Sequence, residues 1–238
     1  MPIRFLDDPK LSEQRGLFET FRVVDGVPDG FDAHWKRLSS SAGTFGFSLT
    51  ENKEDVRKAL GSINGKNQIV RITALENDLL IQKLEPALRP AKWILFQVSI
   101  VPDPLASHKH TQRTSYEDSR ETALANGATD ALLTSQSGDL LETTRANLFL
   151  VTDGNLYTPL ADGRILPGIM RSEVIASAKK LGLPIYETKL VMSDLARADS
   201  LFVTNSVVGI APVKEVLGYW KEKSGRNPVA KMLLDRIN

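Results

Sequence analysis

Strand-like runs joined directly by hairpin turns constrain the fold of this chain most strongly. Residues 17–24 read Leu-Phe-Glu-Thr-Phe-Arg-Val-Val and are followed by Asp25-Gly26, a typical hairpin turn. Further strand pairs are predicted over 68–75 with 79–84, and over 147–152 with 155–158 around Asp153-Gly154. Strands that follow strands pair antiparallel, and helices are predicted between the pairs, so the sequence indicates an α+β fold.

The predicted helices are recognised by apolar periodicity and by their end signals. Trp35, Leu38 and Ala42 recur at three- and four-residue steps and predict a helix over 32–42. Other helices are predicted over 53–60, over 116–126, from Pro167-Gly168 to about Gly182, and over 228–237.

A turn-rich linker predicts how the chain divides. The 238 residues allow one or two domains, and a hydrophobic content of 42% is enough for a sizeable core. The run 102–107 contains two prolines, which disfavour regular structure. The sequence therefore predicts an N-terminal α+β domain over 1–101 and a C-terminal one over 108–238.

Composition excludes several classes of function. A net charge of +1 indicates neither nucleic acid nor a membrane surface as partner, and no apolar run is long enough to span a bilayer. There is no cysteine, which excludes disulfides and cysteine nucleophiles, and with only three histidines no metal site is expected. The N-terminus has no signal-peptide pattern, so we expect a cytoplasmic protein.

Three features between residues 109 and 171 are candidates for chemistry. Lys109 follows the linker, Glu142 precedes a predicted strand, and Gly168 opens a predicted helix. A lysine can bond to an aldehyde, a carboxylate can keep a ring nitrogen protonated, and a helix start can bind phosphate. Together they suit pyridoxal phosphate, although each is also common as a solvated lysine, a turn residue or an ordinary helix start.

Other polar residues leave two interpretations open. Thr20 and Arg22 share one face of the first strand, where they line either a polar pocket or an outward polar surface. Arg37 lies on a predicted helix, where it is either a surface arginine or a guanidinium fork for phosphate.

Several ordered motifs carry a resemblance to a known family. They cover residues 17 to 213. In order they are Leu17-Phe18-Glu19-Thr20-Phe21-Arg22-Val23, His34-x-x-Arg37-Leu38, Lys109-x-x-Gln112-Arg113, Glu142-x-x-x-x-Asn147-Leu148-Phe149, Leu156-Tyr157-Thr158-Pro159, Leu166-Pro167-Gly168-Ile169-Met170-Arg171, and Thr204-Asn205-Ser206 leading to Pro212-Val213. With this order and spacing the chain resembles the class IV aminotransferases, the pyridoxal-phosphate enzymes of fold type IV, whose fold is that of the D-amino-acid aminotransferases.

The resemblance assigns expected roles to residues of this chain. It implies that Lys109 forms the imine with the cofactor's aldehyde and acts as general base, and that Glu142 faces the ring nitrogen. The further cofactor contacts that it implies are Arg37, Asn147, the amides of Ile169 and Met170, and the turn Asn205-Ser206. It also implies a homodimer acting on a small molecule.

Within the family, the segment Thr204-Asn205-Ser206-Val207 is most similar to the 4-amino-4-deoxychorismate lyases, which form 4-aminobenzoate. The alternatives are a branched-chain or D-amino-acid aminotransferase and, from another class, a non-catalytic paralogue. Thr20, Arg22 and Arg171 are candidates for binding the substrate's carboxylates, and Arg171 is also a candidate for bracing the phosphate loop.

Overall fold

The structure is a computed structural model and describes residues 4–5, 15–49, 51–63, 65–85, 92–222 and 228–237. The chain divides into two compact units, Met1–Arg89 with His108–Arg113 and Pro90–Ser107 with Thr114–Asn238. Both units combine helices with a sheet, so the predicted α+β class is confirmed. Among the described residues, no helix is long and apolar enough to cross a membrane.

The first unit is a five-stranded sheet covered by two helices. The strand order is β1-β5-β4-β2-β3. Its elements are β1 (Arg4–Phe5), β2 (Leu17–Val24), β3 (Val27–Pro28), α1 (Phe31–Phe45), α2 (Lys53–Gly61), β4 (Asn67–Ala74) and β5 (Leu79–Leu84). Asp25 and Gly26 both have positive φ, as the predicted hairpin turn requires.

Alternation along β2 separates the two faces of this sheet. Leu17, Phe21 and Val23 are buried in a core that also contains Leu38 of α1 and Leu60 of α2. The alternating residues Phe18, Thr20 and Arg22 are half-buried and point to the opposite face. Apolar periodicity on both strand and helices therefore accounts for the packing of this unit.

A short segment distant in sequence joins the edge of β2. The Phe18 amide donates to the Lys109 carbonyl (2.8 Å), and the Thr111 amide donates to the Gly16 carbonyl (2.9 Å). Leu17 and His110 form an antiparallel bridge between these two bonds. The backbone at Lys109 is thereby fixed to β2.

The second unit is a nine-stranded mixed sheet with helices. Its strand order is β11-β10-β9-β12-β13-β6-β7-β8, with β14 paired to β13. Its elements are β6 (Trp93–Ile100), α3 (Thr114–Ala125), β7 (Asp130–Ser135), β8 (Leu140–Thr143), β9 (Asn147–Thr152), β10 (Asn155–Pro159), α4 (Ile169–Lys180), β11 (Ile185–Thr188), α5 (Met192–Leu195), β12 (Ser200–Asn205), β13 (Gly209–Val216), β14 (Trp220–Lys221) and α6 (Pro228–Ile237).

The central strands of this sheet are buried on both faces. Leu148 and Leu150 of β9 belong to one apolar cluster, whereas Phe149 and Val151 pack with α4 and α6 in another. Strands covered on both faces are expected to be continuously apolar, as β9 is.

The two units differ from the predicted domains 1–101 and 108–238. Strand β6 lies in the sheet of the second unit, between β13 and β7. The segment His108–Arg113 belongs to the first unit, because its backbone bonds to β2. Composition marks the turn-rich run, but sheet membership depends on hydrogen bonds between distant residues.

We expect Gly16→Ala to destabilise the protein by about 1–3 kcal/mol. A Cβ at Gly16 would lie 2.8 Å from the backbone oxygen of Ala74, so the strand edge that holds Thr111 would have to shift. Gly43→Ala is the matched control, because Gly43 lies in α1 with nothing within 4 Å of its Cβ position. Urea unfolding of both variants is the measurement. Equal changes in the free energy of unfolding for the two variants would contradict this account.

Candidate active site

Lys109 has an amine suited to nucleophilic chemistry. Its Nζ lies 4.6 Å from the centroid of the Phe18 ring. Desolvation lowers the pKa of Lys109 from 10.5 to about 7, with the positive charges of Arg113, Arg37 and Arg71 adding to the effect and Glu19 opposing it. A large fraction of the amine is therefore uncharged near neutral pH, which is the form that attacks a carbonyl.

A buried carboxylate holds the predicted phosphate arginine in place. Arg37 donates to both oxygens of Glu19, from Nε at 2.7 Å and from Nη2 at 2.6 Å. Nδ1 of His34 lies 2.7 Å from the same carboxylate. Burial raises the pKa of Glu19, but the charge and hydrogen bonds of Arg37 and the His34 contact outweigh it and hold that pKa at about 2. Arg37 is therefore oriented by an ionised carboxylate, and its contact to phosphate stays a prediction.

Sequence reasoning missed the role of Glu19, although a signal was present. Glu19 alternates with Leu17, Phe21 and Val23 and therefore points to the core face of β2. A buried carboxylate requires a charged or hydrogen-bonding partner. His34 and Arg37, three residues apart on one face of α1, supply it.

Glu142 is buried in the second unit and accepts hydrogen bonds on both carboxylate oxygens. The Tyr116 hydroxyl donates to Oε1 (2.9 Å), and the Leu166 amide donates to the same oxygen (3.1 Å). Nδ2 of Asn147 donates to Oε2 (2.9 Å). Donors to both oxygens stabilise the ionised form of a buried carboxylate. Tyr116, on α3, gave no sequence signal beyond an apolar helix position.

Asn147 links this carboxylate to the loop that begins α4. Its Nδ2 also donates to the Leu166 carbonyl (2.9 Å). A Cβ at Gly168 would collide with Oδ1 of Asn147, so only glycine allows the loop to approach this closely. The N-cap Gly168 supplies no side-chain hydrogen bond to the first turn. Ile169 and Met170 therefore begin a helix whose first amides suit an anion.

The turn after β12 has a different hydrogen-bonding pattern from the expected one. The side chain of Asn205 accepts from the amides of Val207 (2.9 Å) and Val208 (2.8 Å) and donates to the Arg145 carbonyl (3.1 Å). The Asn205 side chain therefore builds the turn that carries Ser206.

Thr204 lies opposite Asn147 in the sheet, and its buried hydroxyl has no hydrogen-bond partner in the part of the chain described.

The candidate carboxylate-binding residues occupy contrasting surroundings. Nη2 of Arg22 donates to Asp29 (2.8 Å), and the pair is partly exposed. Arg171 is buried and donates to the Pro159 carbonyl (2.8 Å) and to Glu187 (2.9 Å). The guanidinium of Arg171 is thereby tied to β10 and β11, and both roles considered for Arg171 stay predictions.

Each unit thus brings together a subset of the predicted residues. The first holds Lys109 and Arg37 with Glu19, and the second holds Glu142 and Asn147 beside the start of α4. An amine uncharged near neutral pH, a hydrogen-bonded carboxylate and an uncapped helix start each suit an enzyme with a covalently held anionic cofactor.

The comparisons with known proteins agree with that class. Residues 16–216 match the family model for amino-transferase class IV. The chain is 30% identical to the "Probable branched-chain-amino-acid aminotransferase" of Thermotoga maritima, over 95% of this chain and 86% of that protein. The protein belongs to the class IV aminotransferase family.

Solved structures extend the comparison. The "Putative 4-amino-4-deoxychorismate lyase" of Legionella pneumophila is similar with a TM-score of 0.87 and 26% identity, over 100% of both chains. An aminotransferase of Brucella abortus bound to the cofactor PLP has a TM-score of 0.80 and 23% identity, over 92% of this chain and 86% of that one. The predicted fold type IV is therefore confirmed.

We expect Lys109→Met to stabilise the apoprotein in a pH-dependent way. The pKa of Lys109 is about 7 in the folded chain and near 10.5 when unfolded, so the unfolded state binds more protons between these values. Wild-type stability therefore rises with pH across that window, and the cost of the buried charge is complete below pH 7. The advantage of the variant should be largest below pH 7 and fade towards pH 10.5.

Urea unfolding at several pH values measures this difference. Lys36→Met, at an exposed position of α1, is the control and should show no such trend. A difference between Lys109→Met and wild type that does not vary with pH would contradict the lowered pKa.

We expect Asn147→Ala to cost more stability than Tyr116→Phe. The first change removes donors from both Glu142 and the Leu166 carbonyl, and should cost about 3 kcal/mol. The second keeps the Leu166 and Asn147 donors on Glu142 and should cost about 1 kcal/mol. Asn155→Ala, in a surface hairpin, is the control for loss of an asparagine amide. Denaturant unfolding that ranks Asn147→Ala with this control would refute the account.

Proposed function

We propose that this protein is a pyridoxal-phosphate-dependent lyase that eliminates pyruvate from 4-amino-4-deoxychorismate and forms 4-aminobenzoate, a step of folate biosynthesis. The observation that carries the proposal is the agreement with the Legionella pneumophila protein over 100% of both chains, at a TM-score of 0.87. The similarity of Thr204-Asn205-Ser206-Val207 to the lyases supports the same choice.

The chemistry of the donor set fits pyridoxal phosphate. The uncharged amine of Lys109 suits a covalent bond to an aldehyde. Glu142 is a carboxylate held by Tyr116, Asn147 and the Leu166 amide, which suits a protonated ring nitrogen. When bound, the cofactor supplies an electron sink for the carbon that carries the substrate's nitrogen.

Several groups are proposed to hold the phosphate. They are the amides of Ile169 and Met170, the guanidinium of Arg37, and the turn Asn205-Ser206. Because the side chain of Asn205 bonds within its turn, we assign it a backbone contact. The buried hydroxyl of Thr204, which has no partner in the described residues, suits the same anion and is added to the set. Asn147 contributes by orienting Glu142 and the loop before α4.

Lys109 is proposed as the general base of the reaction. Its uncharged amine removes the proton from the carbon that carries the substrate's amine. The bond between the substrate's ring and its enolpyruvyl oxygen then breaks, and the proton taken by Lys109 is returned to the departing pyruvate. The substrate therefore divides into pyruvate and an aromatic amine without added water. Thr20 and Arg22 are proposed on the substrate side.

An amino-acid aminotransferase is the second candidate. The 30% identity to the Thermotoga maritima protein over 95% of this chain favours it. Both reactions begin with proton removal by Lys109 and differ in the carbon to which the proton is returned. A non-catalytic paralogue is the third candidate, and the presence of both Lys109 and Glu142 argues against it. We further propose a cytoplasmic homodimer that acts on a small molecule.

Two measurements test the cofactor and the reaction. The purified chain with pyridoxal phosphate should show an absorbance band near the visible edge that Lys109→Ala abolishes. Lys109→Ala should also lower turnover by on the order of 10²–10⁴-fold, since the general base is lost. Lys36→Ala is the control for an exposed lysine.

Two parallel incubations test which substrate the protein uses. With 4-amino-4-deoxychorismate the protein should release equal amounts of pyruvate and 4-aminobenzoate. With an amino acid and a 2-oxo acid, exchange of the amino group should be slow or undetected. If the protein exchanges amino groups and releases no pyruvate from 4-amino-4-deoxychorismate, the lyase proposal is wrong and the aminotransferase proposal replaces it.

A further inference from the structure

The loop that leads into α4 is irregular and yet tied to the rest of the second unit. Residues 160–168 join β10 to α4 and belong to no helix or strand. The Leu166 amide donates to Oε1 of Glu142 (3.1 Å), and the Leu166 carbonyl accepts from Nδ2 of Asn147 (2.9 Å). Ile165 is buried in an apolar cluster. The loop therefore contacts the carboxylate proposed for the ring nitrogen and leads directly into the helix start proposed for the phosphate.

An arginine of this loop binds two carboxylates at once. Arg164 donates from Nη1 to Oδ2 of Asp139 (2.7 Å) and from Nη2 to Oδ2 of Asp162 (2.7 Å). Its Nε donates to the same oxygen of Asp162 at 2.9 Å. Asp162 belongs to the loop itself, whereas Asp139 lies immediately before β8, the strand that carries Glu142. The guanidinium fork therefore adds a second contact between the loop and β8, besides that of the Leu166 amide.

Asp139 is buried and ionised, so it depends on its donors. Its side chain is 4% exposed. Besides Arg164, it contacts Nζ of Lys189 at 3.0 Å and accepts from the Ser137 hydroxyl at 3.3 Å. The hydrogen bonds of Arg164 and Lys189 hold the pKa of Asp139 below its usual value. Removing one partner of a buried ion pair costs far more than breaking an exposed pair, so the folded protein is expected to keep this contact.

We propose that Arg164 is a positioning residue for the cofactor's phosphate. Through its contact with Asp139 it holds the loop whose end presents the amides of Ile169 and Met170. The inference rests on the proposed function, since it takes those two amides as phosphate contacts. Backbone amides bind an anion only where the chain places them, so a displaced loop weakens the phosphate contact. Arg164 itself does not touch the cofactor in this assignment.

Two ligands that differ only in the phosphate test this role. Pyridoxal phosphate and pyridoxal share the ring and the aldehyde, and their dissociation constants are measured by absorbance titration of the full chain freed of cofactor. Arg164→Gln should weaken pyridoxal phosphate by on the order of tenfold. It should change pyridoxal by less than about twofold, because Tyr116 and Asn147 still hold Glu142. Arg164→Lys keeps the charge without the fork and should lie between.

Lys92→Gln is the matched control. Lys92 is likewise a partly exposed cation of the second unit, and it contacts a buried carboxylate, that of Glu222, at 3.1 Å. The two residues lie immediately before β6 and immediately after β14, outside the loop. Loss of this pair should lower the free energy of unfolding without changing the ratio of the two dissociation constants.

A double variant tests whether Asp139 and Arg164 act together. Asp139→Asn alone should also weaken pyridoxal phosphate more than pyridoxal. Asp139→Asn combined with Arg164→Gln should weaken pyridoxal phosphate about as much as Arg164→Gln alone, because both changes break the same contact. Losses that simply add would contradict a shared role.

The outcomes separate this inference from the proposed function. If Arg164→Gln weakens both ligands equally, or lowers the free energy of unfolding with no change in their ratio, the positioning role is refuted. If wild type binds the two ligands equally, the phosphate placement is wrong and the inference falls with it. If Arg164→Gln selectively weakens pyridoxal phosphate but the loaded wild type releases no pyruvate from 4-amino-4-deoxychorismate, the lyase is wrong and the positioning role stands. If Arg164→Gln does not fold, Arg164→Lys decides by the same comparison.

Discussion

The placement of Lys109 depends on a few backbone hydrogen bonds that tie its segment to β2. The Phe18 amide and the Lys109 carbonyl are joined at 2.8 Å, and Thr111 and Gly16 extend the pairing. A lysine side chain is long and flexible, so its amine is positioned only when its backbone is held. The same pairing sets the Phe18 ring beside that amine.

In both units a buried carboxylate is stabilised by hydrogen-bond donors. An ionised carboxylate away from water costs several kcal/mol unless donors replace the lost hydration. Glu19 receives the Arg37 fork and contacts His34, and Glu142 receives Tyr116, Leu166 and Asn147. Groups that are fully hydrogen-bonded in advance need little reorganisation when charge develops nearby.

Local structure was largely predictable because local patterns determine it. Strand β2 has the predicted bounds 17–24, and α2 begins at Lys53 after the predicted cap Asn52, whose side chain accepts from Glu54. The hydrogen-bond partners of the candidate site residues were harder to predict from the sequence. The hydroxyl of Tyr116 and the inward guanidinium of Arg171 meet their partners across 26 and 16 residues, and no periodicity encodes such distances.

The sequence by itself determined the hairpins, the main helices and, through the order of its motifs, the family and its expected cofactor. These depend on residue types and spacings that are readable along the chain. Only the tertiary structure decided that Lys109 belongs with β2, that its amine is desolvated and that Arg71 shares its aromatic neighbour. Desolvation and charge act through space, so they depend on how distant segments are held together, as Gly16 and Thr111 are, which lie 95 positions apart and are hydrogen-bonded.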